Sequence, residues 1–268
     1  MSTIVVTGVS SGLGRAIAAE ALARGHRLVG TVRREADRAA FEALAPGRAV
    51  ARILDVTDRA AIEPFVAATE NESGPIDVLV NNAGYGLRGP VEELDPDALR
   101  RQFEVNVFAP VALARAVLPS MRRRGAGRIV NMVSMGGIIT FPGLGAYHGS
   151  KFALLGLNDA LAEEVAPLGI RVSAILPGLF RSDWNTRSLH RAERRIADYR
   201  AIPAETGDLP WGDPAALGRA VLDAIAMAEP PAHLLVGPTA LRLVRDRLRE
   251  WSAEIDRWET LSHADGEG

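Results

Sequence analysis

Residues 7–14, Thr-Gly-Val-Ser-Ser-Gly-Leu-Gly, constrain this chain more than any other stretch. They follow the β-branched run Ile4-Val5-Val6, which has the form of a strand buried on both faces. They lead into a helical pattern through Ile17, Ala21 and Leu22 that stops at Gly25. A strand that turns through glycines straight into a helix lets the backbone approach a pyrophosphate, which sits at the positive end of that helix. Gly8, Ser10, Ser11, Gly12, Leu13 and Gly14 are therefore candidate phosphate-binding residues. Their spacing, G-x-x-x-G-x-G, differs from the G-x-G-x-x-G of other dinucleotide folds.

The rhythm of that first unit repeats. Residues 27–32 read as a second strand, 38–44 as a helix closed by Pro46-Gly47, and 49–54 as a third strand ending at Asp55. Thr57 or Asp58 can cap a helix running to about Asn71, and Gly74-Pro75 turns into a fourth strand at 76–80. Residues 96–124 form one long helical pattern interrupted by Pro110. A fifth strand at 128–132 precedes a helix that carries Tyr147 and Lys151 to about Val165, and residues 171–176 form a sixth. After a helix at 215–228, residues 233–236 can be a last strand. Strands alternating with helices of this length imply a parallel sheet with helices on both faces, here one domain over residues 1–261.

Two regions leave the rhythm. Residues 179–212 show no clear strand, are rich in arginine and hold Trp184, Tyr199 and Trp211; a loop this long in a compact domain is expected to be a substrate lid. Residues 239–259 read as an amphipathic helix whose apolar stripe packs on the domain or on a second subunit, and 262–268 as a disordered tail.

Composition removes several classes of function. The net charge of −2 and the lack of a long basic run argue against nucleic acid as a partner. There is no cysteine, so thiolate chemistry is out, and the five histidines are scattered with no pair at metal-ligand spacing. No charged segment with a long apolar core opens the chain and no apolar run reaches 18 residues. The expectation is a cytoplasmic protein with no membrane partner.

The chemistry gathers at Tyr147-His148-Gly149-Ser150-Lys151. Four residues apart on a helix, Tyr147 and Lys151 project from one face. A cation beside a phenol favours the phenolate, and so brings the tyrosine toward proton exchange near neutral pH. Lys151 is the only lysine in the chain; the other 30 of the 31 basic residues are arginines. Arginine's planar guanidinium cannot stand in for a compact ammonium in a small pocket. At the end of the second strand, nineteen residues after Gly14, come Arg33 and Arg34. An acidic residue there would accept the ribose hydroxyls of NAD, whereas an arginine favours a 2′-phosphate, so Arg33 points to NADP(H) over NAD(H).

Together, the Thr7–Gly14 turn, Asn81-Asn82-Ala83-Gly84, Asn106, Ser134 and the Tyr147–Lys151 motif resemble the classical short-chain dehydrogenase/reductase family over residues 3–183. The resemblance implies a Rossmann-type three-layer α/β/α sandwich with a seven-stranded parallel sheet, NAD(P)(H) as hydride carrier, and an Asn106-Ser134-Tyr147-Lys151 catalytic set. Within it, Ser134 would hold a substrate carbonyl and Tyr147 would exchange the proton. Lys151 would lower the tyrosine pKa and bond the nicotinamide ribose. Pro110 lacks the amide that would bond the Asn106 carbonyl, and the family uses that carbonyl to hold a water in a proton relay. Asp55 and Val56 fall where the family contacts adenine, Asn82, Ala83 and Gly84 where the cofactor lies close, and Pro177 and Gly178 where the nicotinamide is covered. The family commonly has threonine a few residues further on; Ser182 is the nearest match.

Gly136, Ile138, Phe141, Leu144, Leu179, Phe180 and Trp184, with Leu87, are candidate substrate residues, and all but Gly136 are apolar. They suggest a hydrophobic or alicyclic ketone or secondary alcohol. Two other readings stand beside the oxidoreductase: a non-catalytic NADP(H)-binding sensor or scaffold, and an epimerase or dehydratase of the same fold. By analogy with the family, the chain is expected to form a homodimer or homotetramer.

Overall fold

The computed structural model describes residues 1–182, 184–193, 196–202 and 209–263. Seven strands form one sheet in the order β3 (Ala49–Ile53), β2 (Arg27–Val32), β1 (Thr3–Val6), β4 (Val78–Asn81), β6 (Gly127–Met132), β7 (Ile170–Pro177) and β9 (His233–Val236). Every pairing in it is parallel; Val5 lies between Val29 and Leu79, for example. The order reverses between β1 and β4, so a crevice opens there at the carboxyl ends of the strands.

Alternation within β1 sorts the two layers. Ile4 and Val6 pack with Ile17 and Ala21 of α1 (Gly12–Ala23) and Leu217 and Val221 of α7 (Pro214–Ala226). Val5 faces the other way, toward Phe65 of α3 (Arg59–Ser73) and Leu113 and Val117 of α5 (Ala109–Arg124). Helix starts follow ordinary capping chemistry: Asp58 accepts from the Ala60 amide before α3, and Asp95 from Ala98 before α4 (Pro96–Phe103). A buried amide ladder crosses the sheet into α6 (Gly145–Val165). Asn81 Nδ2 donates to Asn131 Oδ1 at 2.9 Å, and Asn131 Nδ2 to Asn158 Oδ1 at 3.0 Å.

Four elements differ from the sequence reading. The interruption at Pro110 is a widened π turn, Glu104–Phe108, between α4 and α5. Proline offers no amide to the carbonyl four residues back, and the Ala109 amide reaches back to Glu104 instead. Traced through this turn, Pro96–Arg124 has the length and composition of a membrane span, yet Leu113, Val117 and Met121 from it fill the core. The lid does contain a strand: β8 (Leu189–Arg191) pairs in parallel with β5 (Gly86–Arg88). The short α2 (Glu35–Glu42) begins three residues earlier than expected, with Glu35 and Asp37 favouring its positive end. The last helix, α8 (Pro238–Ser262), is longer than predicted; of the tail beyond it, residues 264–268 lie outside the described residues.

Candidate active site

The glycine turn is tied to the end of β4. Asn82 Nδ2 donates to the Thr7 and Gly8 carbonyls at 2.8 and 3.1 Å, while Thr7 Oγ1 accepts from the Asn82 and Ala83 amides, both at 2.9 Å. Gly8 (φ 73°) and Gly12 (φ 59°) take left-handed conformations that side chains resist. At Gly14 the demand is space: a Cβ there would lie 2.3 Å from the Gly8 carbonyl oxygen and from Asn82 Nδ2. Ser11 caps α1 in position but makes no side-chain cap bond, and no acidic residue occupies the first turn. The positive end of α1 is left for an anion.

From this turn a cavity of about 790 Å³ runs in two directions. One end reaches Arg33, Asp55 and Val56. Arg34 turns away to pair with Asp37 at 2.8 Å, whereas Arg33 is exposed and makes no hydrogen bond or ion pair among the described residues. The Asp55 carboxyl is held below its usual range, first by hydrogen bonds from the Thr57 amide and hydroxyl and, more weakly, by Arg33. The other end reaches Ser134, Tyr147 and Lys151, with Ala83 and Gly84 on its wall and Pro177, Gly178 and Ser182 beside it. Ser182 also comes close to the glycine turn: a Cβ at Gly12 would sit 3.9 Å from its own Cβ.

Ser134 follows β6 and caps the short turn Met135–Gly137, its Oγ accepting from the Gly136 amide at 3.0 Å. The side chains of Ser134 and Tyr147 line the same end of the cavity, close enough for the serine hydroxyl to bear on the phenol. Lys151 is buried one turn along, and its ammonium donates to the Met132 carbonyl at 2.7 Å. Burial pushes the Lys151 pKa down to about 8. Burial pushes the Tyr147 phenol up, and the nearby Ser134 hydroxyl opposes it. Here the expectation from the Tyr–Lys spacing is corrected. The ammonium lies 5.9 Å from the centroid of the tyrosine ring and is directed at Met132, so Ser134, not Lys151, favours the phenolate in this geometry.

Asn106 does not line the cavity; it braces the wall behind it from the π turn. Its Nδ2 donates to the Tyr85 carbonyl at 2.9 Å and to Ser150 Oγ at 3.0 Å, and its Oδ1 accepts from the Tyr85 amide at 3.1 Å. Ser150 in turn donates to the Tyr147 carbonyl at 2.7 Å. One asparagine thus couples the segment after Asn82-Ala83-Gly84 to the first turn of α6.

Of the expected substrate residues, Gly136, Phe141, Leu144, Leu179, Phe180, Trp184 and Leu87 line the cavity. Ile138 does not; it packs between the core groups around Leu154 and Val244. The Trp184 ring meets Tyr147 edge-on with centroids 5.3 Å apart. The sequence reading passed over His148, although it sits inside the tyrosine–lysine motif. Its Nε2 accepts from the Phe141 amide at 3.0 Å and its Nδ1 lies 2.9 Å from the Gly136 carbonyl, which fixes a neutral ring protonated at Nδ1. Burial, with a smaller push from Arg88, lowers the His148 pKa. Tyr85, which stacks on His190 at 4.9 Å, and Arg101 also line the outer mouth. Neither lies in a motif that would mark it in sequence. Among the described residues no group of three or more His, Asp or Glu side chains could hold a metal.

Residues 2–193 match the family model described as short chain dehydrogenase. A crystal structure of a short-chain dehydrogenase from Streptomyces avermitilis is 39% identical, superimposes with a TM-score of 0.93, and is matched over 98% of each chain. Oxidoreductase BOA17 of Botryotinia fuckeliana is 34% identical over 97% of this chain and 97% of its own length. An NADPH-dependent 3-dehydrocapnine reductase from Ornithobacterium rhinotracheale is 35% identical over 76% of this chain and 75% of its own.

Proposed function

The chain belongs to the short chain dehydrogenase family, and from that premise we propose that it is an NADP(H)-dependent oxidoreductase interconverting a ketone or aldehyde with an alcohol. The observation that carries this reading is that Ser134, Tyr147 and Lys151 line the same cavity as the glycine turn and Arg33. The cavity fits a dinucleotide: an uncapped positive helix end faces it midway, an unpaired arginine stands at one end, and the two hydroxyls stand at the other. A nicotinamide cofactor held there supplies or accepts the hydride. No side chain caps the start of α1, so the turn formed by Gly8, Ser10, Ser11, Gly12, Leu13 and Gly14 holds the phosphates through its backbone.

In reduction, Ser134 orients the carbonyl oxygen and stabilises the charge that builds on it. Tyr147 gives that oxygen its proton, and takes it back in oxidation. Lys151 replaces the proton on Tyr147 when it turns from Met132 toward the phenol and the ribose, and the Asn106 carbonyl, denied the Pro110 amide, holds the water that resupplies it. Asp55 and Val56 contact the adenine. Asn82, Ala83 and Gly84 give the cofactor its close approach, and Pro177, Gly178 and Ser182 border the nicotinamide.

Arg33 supports NADP(H) over NAD(H), as does the NADPH dependence in the name of the Ornithobacterium relative. The apolar lining from Phe141, Leu144, Leu179, Phe180 and Trp184 supports a hydrophobic or alicyclic substrate, and the relative's name as a reductase supports the direction. The reading includes a cytoplasmic protein that forms a homo-oligomer. Phe108 at the end of the π turn and Leu157 on α6, each nearly half exposed, support such a contact. A panel of aliphatic, alicyclic and aromatic ketones, followed by loss of NADPH absorbance, tests the reading. Net NADPH loss with at least one ketone is expected. Tight NADPH binding with no consumption across the panel would favour a sensor, and substrate conversion with no net consumption an epimerase or dehydratase.

A further inference from the structure

Helix α8 leaves the body of the protein half covered. Its first turns are held by Thr239, Ala240 and Val244, which are buried, with Val244 and Leu243 packing on Met135 and Ile139. Beyond that, Leu248 is 50% exposed, Ile255 67%, Trp258 51% and Leu261 68%, four large apolar side chains in the exposed half of one helix. The spacing is informative. Leu241, Val244, Leu248, Trp251, Ile255 and Trp258 follow one another at alternating steps of three and four residues, the a and d positions of a heptad seam. Of the seam, Val244 is used by the protein's own core, Trp251 carries the Arg247 guanidinium of its own helix 4.7 Å from the ring centroid, and Leu248, Ile255 and Trp258 stand exposed.

The charges on α8 are segregated. Arg242, Arg245, Arg247 and Arg249 stand against only Asp246 in its first half, and Glu250, Glu254, Asp256 and Glu259 against only Arg257 in its second. Such a helix is complementary to an inverted copy of itself. We propose that the free half of α8 docks against α8 of a second copy of this chain as a short antiparallel coiled coil. Heptad geometry then layers Leu248 on the partner's Trp258, and Trp251 on the partner's Ile255, twice over about a two-fold axis. It sets Arg245 beside the partner's Glu259 on both sides, at the cost of one like-charged pair, Glu254 with its own copy. A parallel pairing would instead stack basic half on basic half and bring Glu254 against the partner's Glu259. A membrane surface is the rival occupant, and the carboxylates around the free half disfavour it, since helices that lie on anionic lipid carry basic polar faces.

Sedimentation equilibrium of the full chain, beside the doubly substituted Leu248→Glu/Ile255→Glu variant, tests the proposal. Both positions are exposed in the single chain, so the variant should melt and turn over as the parent does. The expected result is a parent assembly of twice the variant's mass; equal masses overturn the proposal. Equal masses together with parent-only co-sedimentation on phosphatidylcholine/phosphatidylglycerol vesicles would overturn it in favour of the membrane. The orientation has its own test. Arg245→Glu should weaken self-association about tenfold, and adding Glu259→Arg should restore it; a double variant as weak as the single contradicts the antiparallel pairing.

Discussion

At the scale of single residues, the site depends on where two side chains are directed. Lys151 Nζ reaches the Met132 carbonyl from a buried position, where a planar guanidinium would not present its charge at the same point. Lys151→Arg should therefore lose most turnover, roughly a hundredfold or more, despite keeping the charge; that is read as kcat with saturating NADPH. The free enzyme should also lose kcat/KM as pH rises through about 8, where the buried ammonium gives up its proton. His148 supplies the acid limb. Unfolded, the ring titrates near 6.5, and in the fold its pKa is lower, so as pH falls below 6.5 the unfolded chain takes up the proton first. Its contribution to stability is complete above that pH and is lost progressively below it. Protonation would put a hydrogen on Nε2 against the Phe141 amide and so release the loop that carries Gly136 and Phe141. Melting temperatures from about pH 5 to 8 should fall on the acid side in the parent, and fall less in His148→Phe. None of this was legible from the motif alone. The letters marked the tyrosine and lysine, but the histidine's role lies in two backbone partners that only the fold brings to it.

Elements were legible where a period was long enough to read. The strands β1, β2, β6 and β7 and the helix carrying Tyr147 announced themselves through apolar pattern and flanking glycine or proline. β8 did not, because Leu189-His190-Arg191 pairs with Gly86–Arg88 over only three residues, and three residues display no period. That small sheet holds the lid over the site. A Cβ at Gly86 would lie 2.6 Å from Trp184 Cζ2 and 2.9 Å from Leu189 Cδ1, so Gly86→Val should push Trp184 off Tyr147. The expected outcome is a substrate KM raised about tenfold with a smaller change in kcat, the pattern of lost binding. The π turn belongs at this scale too. Pro110 marked an interruption, yet the widening that brings Asn106 to Tyr85 and Ser150 depends on α4 and α5 both packing on the body, which sequence does not display.

For the whole molecule, the alternation of strands and helices was enough to state a parallel sheet with two covering layers. The seven strands of the sheet were also legible in that alternation, and the resemblance to a family implied the same number. What brings the site together is long-range: Thr7, Asn82, Ser134 and Tyr147 are far apart in the chain and meet only because β1, β4 and β6 are neighbours with β4 at the reversal of strand order. The cofactor preference also belongs here, since Arg33 stands at the opposite end of the cavity from the chemistry. Arg33→Asp should shift the ratio of NADPH to NADH affinity toward NADH without lowering kcat in step, and an unchanged ratio would remove the 2′-phosphate assignment. The central claim is that a tyrosine proton drives a reduction in a site that also binds the cofactor. It is tested most directly by measuring NADPH affinity and ketone-dependent NADPH oxidation for the parent and Tyr147→Phe side by side. The account predicts affinities within about twofold and a rate lowered on the order of a thousandfold. Equal rates in the two proteins would contradict it.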